Sequence, residues 1–463
     1  MKYRIFLFIL SILLLTAACT NEKKAEEDPN IILINVDDLG WSDLGFMGSA
    51  FYESPRIDAL AEEAMVFMQG YAGAANCAPS RACLMTGLNT PRHHIYTVGS
   101  SERGRSKDRK VIPIPNTRRL HDSLTTLAEV LQVYGYTTCQ AGKWHLSEDS
   151  RDHGFDYNIG GNQNGHPRSY YPPYQNIDLD APENEYLTDN IMNRVLEFIE
   201  SRNDKAFFLY YAPYAVHTPI QKVDSLMYRF ISKPGPEGRN NPEYATMIYN
   251  LDRNIGRLID ALKQKGLYEN TLIIFTSDNG GLFRISQQKP LRAGKGSYYE
   301  GGIRVPFFFC WPGKIKAGKN EDTPIVNMDI FPSILDILHL DLPGKSFDGI
   351  SLAPLLLEGE KPEVRNFFWH FPVYLEKGNS DTRDRLFRTR PGSVVRSGDW
   401  KLLQYYEDGD VQLFNLKNDP GEKEDLSLAN PDIVNELLLL LDQWRKDSQA
   451  PLPLEKNPAY EGN

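Results

Sequence analysis

The chain is poor in cysteine and has no excess of positive charge, and each shortage excludes a class of protein. Five of its 463 residues are cysteine, and their spacing shows neither a disulfide framework nor a cysteine-rich metal site. Lysine and arginine together number 51 against 61 aspartates and glutamates, which gives a formal net charge of −10. An acidic chain has no long-range attraction for nucleic acid, so we predict no nucleic-acid partner.

The sequence also lacks an apolar run long enough for a membrane-spanning helix. The run at residues 5–15, which follows Lys2 and Arg4, is shorter than the roughly 20 residues that cross a bilayer. Its position after two basic residues predicts a signal peptide.

Small residues precede Cys19, an arrangement similar to the lipobox of bacterial lipoproteins, although leucine is usual where Thr16 stands. The alternative is an ordinary signal peptide with an incidental cysteine. We predict a lipoprotein signal peptide at residues 1–18, lipidation of Cys19 and a polar tether at residues 19–30. The predicted location is that of an exported bacterial lipoprotein, in the periplasm or on the cell surface, held to the membrane by its lipid alone.

Four short apolar runs rich in β-branched and aromatic residues predict strands that are buried on both faces. They span residues 31–36, 206–212, 271–276 and 305–310. Helical patterns lie between them, at residues 123–134 and 186–202. Strands that alternate with helices predict an α/β fold, a mainly parallel sheet sandwiched by helices. Ligands of such sheets bind at the carboxyl ends of the strands, so polar residues there are candidates for a functional site.

The pattern changes towards the C-terminus. Residues 393–406 predict two strands joined by a turn, and Asn430 is predicted to cap a helix that has Pro431 at its first position. We therefore predict an α/β domain at residues 31–342 and a smaller C-terminal subdomain at residues 343–463, an antiparallel sheet with a helix packed on it.

Acidic residues follow two of the predicted strands. Asp37 and Asp38 come directly after the first strand, and Asp278 and Asn279 come just after the third. Adjacent carboxylates repel one another unless a positive charge lies beside them. A bound cation supplies that charge, and oxygen ligands favour calcium or magnesium; the alternative is a turn in which an aspartate caps the chain. Two such strand ends favour a shared metal site.

The segment at residues 77–87 predicts an anion-binding helix N-terminus. Pro79 suits the first position of a helix, which places Cys77 at the start of that helix. Unpaired N–H groups and the helix dipole favour a bound anion there.

This segment resembles the signature of the formylglycine-dependent sulfatases of the alkaline phosphatase superfamily. The matching residues are Cys77, Pro79, Ser80, Arg81, Leu84, Thr86 and Gly87. The resemblance implies that superfamily's fold and a sulfuric ester hydrolase. It also implies that a formylglycine-generating or an anaerobic sulfatase-maturating enzyme oxidises Cys77 to formylglycine. One hydroxyl of the hydrated aldehyde then attacks sulfur, and the other expels sulfate as the aldehyde re-forms.

The resemblance covers the mature chain and implies a role for each site residue. The implied metal ligands, for calcium rather than magnesium, are Asp37, Asp38, Cys77, Asp278 and Asn279. The implied catalytic residues are Cys77, Arg81, Lys143, His145, His217 and Lys295. Among them, Arg81 and the two lysines would bind sulfate oxygens. His217 would protonate the leaving sugar oxygen, and His145 would take the proton from the remaining hydroxyl.

Two of these positions carry a further prediction about local geometry. Lys143 and His145 are two residues apart, so an extended chain would point both side chains to one side. Lys295 lies between glycines, which let backbone and ligand approach closely.

The substrate implied by the resemblance to bacterial carbohydrate sulfatases is a sulfated saccharide. Sulfates of galactose or N-acetylgalactosamine are favoured, as in mucin, glycosaminoglycan or algal polysaccharide. His166 and Arg168 are candidate substrate-binding residues, unless residues 160–174 are only a proline-rich surface loop. Two alternatives stay open: a phosphonate or phosphate ester hydrolase of the same superfamily, and a catalytically inactive glycan-binding lipoprotein.

Overall fold

The computed structural model describes residues 28–180, 182–202 and 205–462. The predicted signal peptide, Cys19 and most of the predicted tether lie outside the described residues. In the part of the chain that is described, no helix combines the length and the apolar character needed to cross a membrane.

Strands and helices alternate through most of the chain. The strands are β1 (Asn30–Val36), β2 (Met65–Phe67), β3 (Gly70–Tyr71), β4 (Thr137–Gly142), β5 (Tyr157–Ile159), β6 (Phe207–Ala212), β7 (Thr271–Ser277), β8 (Phe308–Cys310), β9 (Lys319–Glu321), β10 (Ile325–Val326), β11 (Asn366–Phe371), β12 (Leu375–Glu376), β13 (Phe387–Thr389), β14 (Gly392–Ser397), β15 (Trp400–Tyr405) and β16 (Val411–Asn415). The α-helices are α1 (Pro55–Glu62), α2 (Cys77–Thr86), α3 (Thr90–His93), α4 (Leu127–Val133), α5 (Leu187–Glu200), α6 (Pro242–Gln264), α7 (Glu300–Ile303), α8 (Ile330–Ile337) and α9 (Pro431–Asp447).

The central sheet is mainly parallel and has the strand order β5-β4-β6-β1-β7-β8-β2-β9. Strand β1 pairs in parallel with β6 and β7, and β4 pairs in parallel with β6. Strand β8 runs antiparallel to β7. Because the four central strands β4, β6, β1 and β7 point the same way, the residues after them meet at one edge of the sheet.

Helices cover both faces of this sheet. Ile32 and Ile34 face a core that includes α5 and α6, whereas Ile31 and Leu33 face a core that includes α2, α4 and α8. Both faces of β1 are therefore buried, which explains why its sequence is apolar throughout rather than alternating. The predicted α/β fold class is confirmed.

The C-terminal sheet is antiparallel, with the order β11-β14-β15-β16. One face packs on α9, where Val395 and Leu402 contact Leu437 and Leu441; its other face packs against the α/β part of the chain. The smaller antiparallel sheet with its helix is confirmed. Asn430 precedes Pro431 as predicted, but the prediction that its side chain caps the helix is wrong. Its Nδ2 donates to the carbonyl of Leu426, 3.1 Å away.

Candidate active site

Four parallel strands deliver polar residues to the same edge of the central sheet. Asp37 and Asp38 follow β1, Asp278 follows β7 and Lys143 follows β4. His217 lies in the loop after β6. Four of these side chains are buried, those of Asp37, Asp38, Asp278 and Lys143. Their charges must therefore be balanced inside the protein.

Cys77 reaches this edge from the first residue of α2, and its side chain is buried. Its Sγ lies 3.1 Å from Lys295 Nζ and 3.9 Å from Asp38 Oδ1. The prediction that Pro79 opens the helix is wrong, since Pro79 is the third helical residue. The N–H that proline lacks would have no partner in the first turn anyway, so Cys77 still lies at the helix N-terminus.

Each carboxylate in the site has a cation as its partner. Lys143 Nζ lies 2.8 and 2.7 Å from the two oxygens of Asp37, and Lys295 Nζ lies 2.6 and 2.8 Å from those of Asp38. Asp278 Oδ2 accepts from Arg81, whose Nε is 2.9 Å away. The site thus holds three carboxyl groups and three basic side chains at hydrogen-bonding distance.

Burial and these charges shift the acidities of the site. Burial raises the pKa of Asp37 to about 8, although Lys143 opposes the rise. Burial would also raise the pKa of Asp38, but Lys295 and His217 outweigh it and hold that pKa below its usual range. Burial raises the pKa of the Cys77 thiol to about 11. An unmodified Cys77 would therefore be protonated at neutral pH and a weak nucleophile.

His217 points one ring nitrogen into the site and anchors the other. Its Nε2 lies 3.5 Å from Asp38 Oδ2, and its Nδ1 lies 2.7 Å from the carbonyl oxygen of Thr218. The hydroxyl of Tyr170 donates to the carbonyl of His217 at 2.9 Å, which fixes the position of the backbone at His217. His166 stacks on the His217 ring, with centroids 5.4 Å apart.

His145 lies close to the same group of charges. Burial lowers its pKa well below the usual value, and Lys143, Arg81 and Lys295 lower it further. The prediction that an extended chain aligns Lys143 with His145 is wrong, because His145 has a positive φ of 66°. Its ring packs against Gly165, where an added Cβ would lie 2.6 Å from His145 Cε1. Loop packing, rather than strand alternation, orients this histidine.

The two predicted substrate-binding residues have different positions. His166 is exposed and contacts the site through His217. Arg168 is also exposed, and its backbone N–H donates to Asn176 Oδ1 at 2.8 Å. Its charge lies near enough to contribute to the lowered pKa of His166, whose main cause is burial. The structure therefore places His166 at the site and Arg168 at its periphery.

A sequence model of the family described as Sulfatase matches residues 29–340. The chain belongs to the sulfatase family. A second model, described as N-sulphoglucosamine sulphohydrolase, C-terminal, matches residues 294–447. The prediction of a sulfuric ester hydrolase is confirmed. Membership of this family implies a formylglycine residue and a divalent metal ion.

Relatives of this sulfatase match nearly its whole length. A sulfatase of Formosa agariphila is 31% identical over 97% of this chain and 94% of its own. An N-acetylgalactosamine-6-sulfatase of Sus scrofa is 28% identical over 95% of this chain and 90% of its own. Among solved structures, Ps i-CgsB has a TM-score of 0.75 and 32% identity, covering 93% of this chain and 95% of that one. Another structure shows Ps i-CgsB in complex with k-i-k-neocarrahexaose.

The side chains of the sulfatase site fit a divalent cation. Donor atoms of Asp37, Asp38, Cys77 and His217 lie within 4.8 Å of one another. Asn279 Oδ1 is buried without a hydrogen-bond partner, while its Nδ2 donates to Asp38 Oδ1 at 2.9 Å. A buried amide oxygen without a partner is costly unless a ligand binds it. Carboxylate and amide oxygens are the donors that hard divalent ions prefer.

One residue near the sulfatase site is not predicted by the sequence. Arg388, in β13, extends over Gly296, where an added Cβ would lie 2.9 Å from Arg388 Cδ. Gly296 adjoins Lys295, so the guanidinium lies beside the charged cluster. Nothing in the sequence around Arg388 signals this position, because it depends on how the C-terminal subdomain packs on the α/β part.

Proposed function

We propose that this sulfatase removes sulfate groups from a carbohydrate, using a formylglycine made from Cys77 and a calcium ion. The observation that carries the proposal is the position of Cys77. It lies at a buried helix N-terminus, 3.1 Å from a lysine and 3.9 Å from a carboxylate that follows the central strand. A helix N-terminus surrounded by fixed cations favours a tetrahedral anion such as sulfate.

Three cations are available to bind the sulfate oxygens. Lys143, Lys295 and Arg81 are buried or nearly so, and each is held by a carboxylate. Their positions are therefore fixed before substrate arrives, and fixed charges need little reorganisation as negative charge develops in the transition state. The acidic protein thus holds three cationic side chains in fixed positions at this edge of the sheet.

His217 is the proposed general acid. Its Nδ1–H donates to the Thr218 carbonyl, so Nε2 is the atom that faces the site, and it carries a proton when the ring is in its imidazolium form. A sugar alkoxide leaves poorly, and a proton delivered from Nε2 to that oxygen makes an alcohol leave instead. His145, among the same cations, is proposed to take the proton when sulfate departs.

The proposed ligands of the cation are Asp37, Asp38, Asp278, Asn279 and residue 77. When bound, such an ion polarises the oxygens it contacts and offsets the negative charge that gathers in the site. Calcium is proposed because every protein donor except the unmodified thiol is an oxygen. Formylglycine at residue 77 supplies the nucleophilic oxygen that a thiol lacks.

A carbohydrate substrate is supported by the names of relatives that match nearly the full length. One relative is named for N-acetylgalactosamine-6-sulfate, and a structural neighbour was crystallised with k-i-k-neocarrahexaose. Sulfates of N-acetylgalactosamine or galactose are therefore the first substrates to test. We further propose export as a lipoprotein modified at Cys19, since its surroundings are similar to a lipobox.

The experiment is sulfate release from a panel of defined sulfated saccharides, by protein coexpressed with a formylglycine-generating enzyme. We expect release from at least one sugar sulfate and none from the Cys77→Ala variant. Phenylphosphonate esters form the competing arm. Faster hydrolysis of the phosphonate than of every sulfate would refute the proposal, as would equal sulfate release by the Cys77→Ala variant.

A further inference from the structure

Arg388 lies at the boundary between the catalytic cluster and the C-terminal subdomain. Its side chain passes over Gly296, with Cδ 2.9 Å from the position of an added Cβ. The neighbouring Lys295 donates to Asp38 and to Cys77 Sγ. Arg388 is half-buried, so its guanidinium is positioned by the protein yet remains accessible to a molecule bound in the site.

The charge of Arg388 is not neutralised by a carboxylate. Among the described residues, its Nε donates to the Lys377 carbonyl at 3.4 Å, and no acidic oxygen lies within salt-bridge distance. Glu376, which lies on the strand paired with that of Arg388, is bound by Arg103 at 2.9 and 2.7 Å. Asp38 is bound by Lys295. In a chain with net charge −10, an arginine left without an acid beside an anion-binding site needs another explanation.

A groove lies near Arg388 on the surface. Burial lowers the pKa of Arg388, and Arg284, which lines the groove, is close enough to lower it further. The groove has a volume of about 810 Å³, and Arg284, Arg385 and Phe283 contribute to its lining. Phe283 lies next to the residue before Lys295, because its backbone nitrogen is 3.2 Å from the position of an added Cβ at Gly294. Within the described ranges, neither Arg284 nor Arg385 forms an ion pair. Two further uncompensated cations and an aromatic ring suit an anionic sugar chain.

We propose that Arg388 binds a second anionic group of the saccharide, beyond the sulfate that is removed, and that the groove lined by Arg284 and Arg385 holds the continuing chain. This inference rests on the proposed function and deepens it. It assigns as substrate a saccharide of at least two units that carries two or more negative charges. A sulfate ester and a carboxylate share the chemistry required, since a guanidinium can form paired hydrogen bonds with either.

The test compares three disaccharides that share one cleavable sulfate. The first carries no other charge, the second a further sulfate, and the third a uronic carboxylate in place of that sulfate. For the wild-type enzyme we expect kcat/KM to be about 10- to 100-fold higher for at least one dianionic substrate, since charge-assisted hydrogen bonds of this kind have that worth. The larger of the two increases identifies the group that Arg388 binds.

The preference is the kcat/KM for a dianionic disaccharide divided by the kcat/KM for the disaccharide with no other charge. In the Arg388→Gln variant we expect this ratio to fall to about 1, through a rise in KM for the dianionic substrate. Arg388→Lys should keep only part of the preference, because it retains the charge and loses the paired geometry. Arg253→Gln, at an exposed arginine in the middle of α6, is the matched control and should keep the wild-type ratio.

A wild-type ratio near 1 for both dianionic substrates would overturn the inference. An equal loss of kcat/KM on all three disaccharides in Arg388→Gln would also overturn it. Calorimetric binding of the same disaccharides to Cys77→Ala and to the Cys77→Ala, Arg388→Gln double variant gives a readout without turnover. If the wild-type enzyme releases no sulfate from any sugar, the proposed function fails. The calorimetry then still decides whether Arg388 selects dianionic saccharides.

Discussion

Replacing His217 with alanine should slow the hydrolysis of sugar sulfates far more than that of aryl sulfates. His217 presents Nε2 to the site, 3.5 Å from Asp38 Oδ2, while Nδ1 is held by the Thr218 carbonyl at 2.7 Å. The ring therefore has one orientation and one nitrogen available for proton transfer. General acid catalysis of this kind contributes about 10²- to 10⁴-fold, which corresponds to about 3–5 kcal/mol of transition-state stabilisation.

The size of the effect depends on the leaving group. A sugar oxygen leaves as a strongly basic alkoxide unless it is protonated, so we expect the full loss of about 10²- to 10⁴-fold in kcat/KM on a sugar sulfate. A nitrophenolate needs little protonation, so the loss on p-nitrophenyl sulfate should stay below about 10-fold.

The assay measures both substrates with the wild-type enzyme, His217→Ala and His121→Ala. His121 is exposed and contacts Ser123, so its replacement controls for the loss of a histidine as such. Equal losses on the aryl and sugar sulfates in His217→Ala would refute the role of leaving-group acid.

Four further outcomes follow from the same account. Chelation should abolish activity and calcium should restore it better than magnesium; full activity after exhaustive chelation would contradict the metal site. Lys401 Nζ lies 2.8 Å from Glu300 and 2.9 Å from Glu422, and all three side chains are buried. Lys401→Met should therefore lower the free energy of unfolding by about 3–5 kcal/mol. A decrease below about 1 kcal/mol in urea unfolding would contradict this. Burial raises the pKa of Glu422 to about 7 from an ordinary 4.5, so its folded form binds a proton more tightly and wild-type stability falls as pH rises through this range. Glu422→Gln has no carboxyl group to titrate, so its free energy of unfolding should rise relative to that of wild type between about pH 5 and pH 8. A difference in unfolding free energy that does not change with pH would contradict this role of Glu422. Cys19→Ser should move the protein from the membrane fraction to the soluble one, whereas mass spectrometry showing no lipid on the wild-type chain would reject lipidation.

Much of the fold could be predicted from local patterns in the sequence, and most of the site's composition from the resemblance to sulfatases. Residues 31–36 and 271–276 are apolar on both faces, which requires a buried parallel strand. Parallel strands end at one edge, so Asp37 and Asp278 had to approach each other. The helix that begins at Cys77 was also predictable from its signature.

The remaining details depend on long-range packing, which a local pattern does not contain. His145 is oriented by Gly165 in a separate loop, so counting two residues from Lys143 could not give its direction. The side-chain amide of Asn430 donates to the carbonyl of Leu426, a contact that the Asn-Pro pattern at the start of the helix does not reveal. Arg388 reaches the site only because β13 packs over Gly296.

The most direct test of the account relates the chemistry at residue 77 to catalysis. Preparations made with increasing amounts of the maturation enzyme would be assayed for sulfate release from a sugar sulfate, while mass spectrometry gives the fraction of residue 77 present as formylglycine. We expect activity to rise in proportion to that fraction and to vanish where only the thiol is found. Activity that is independent of conversion, or fully converted protein that releases sulfate from no sugar, would contradict the account.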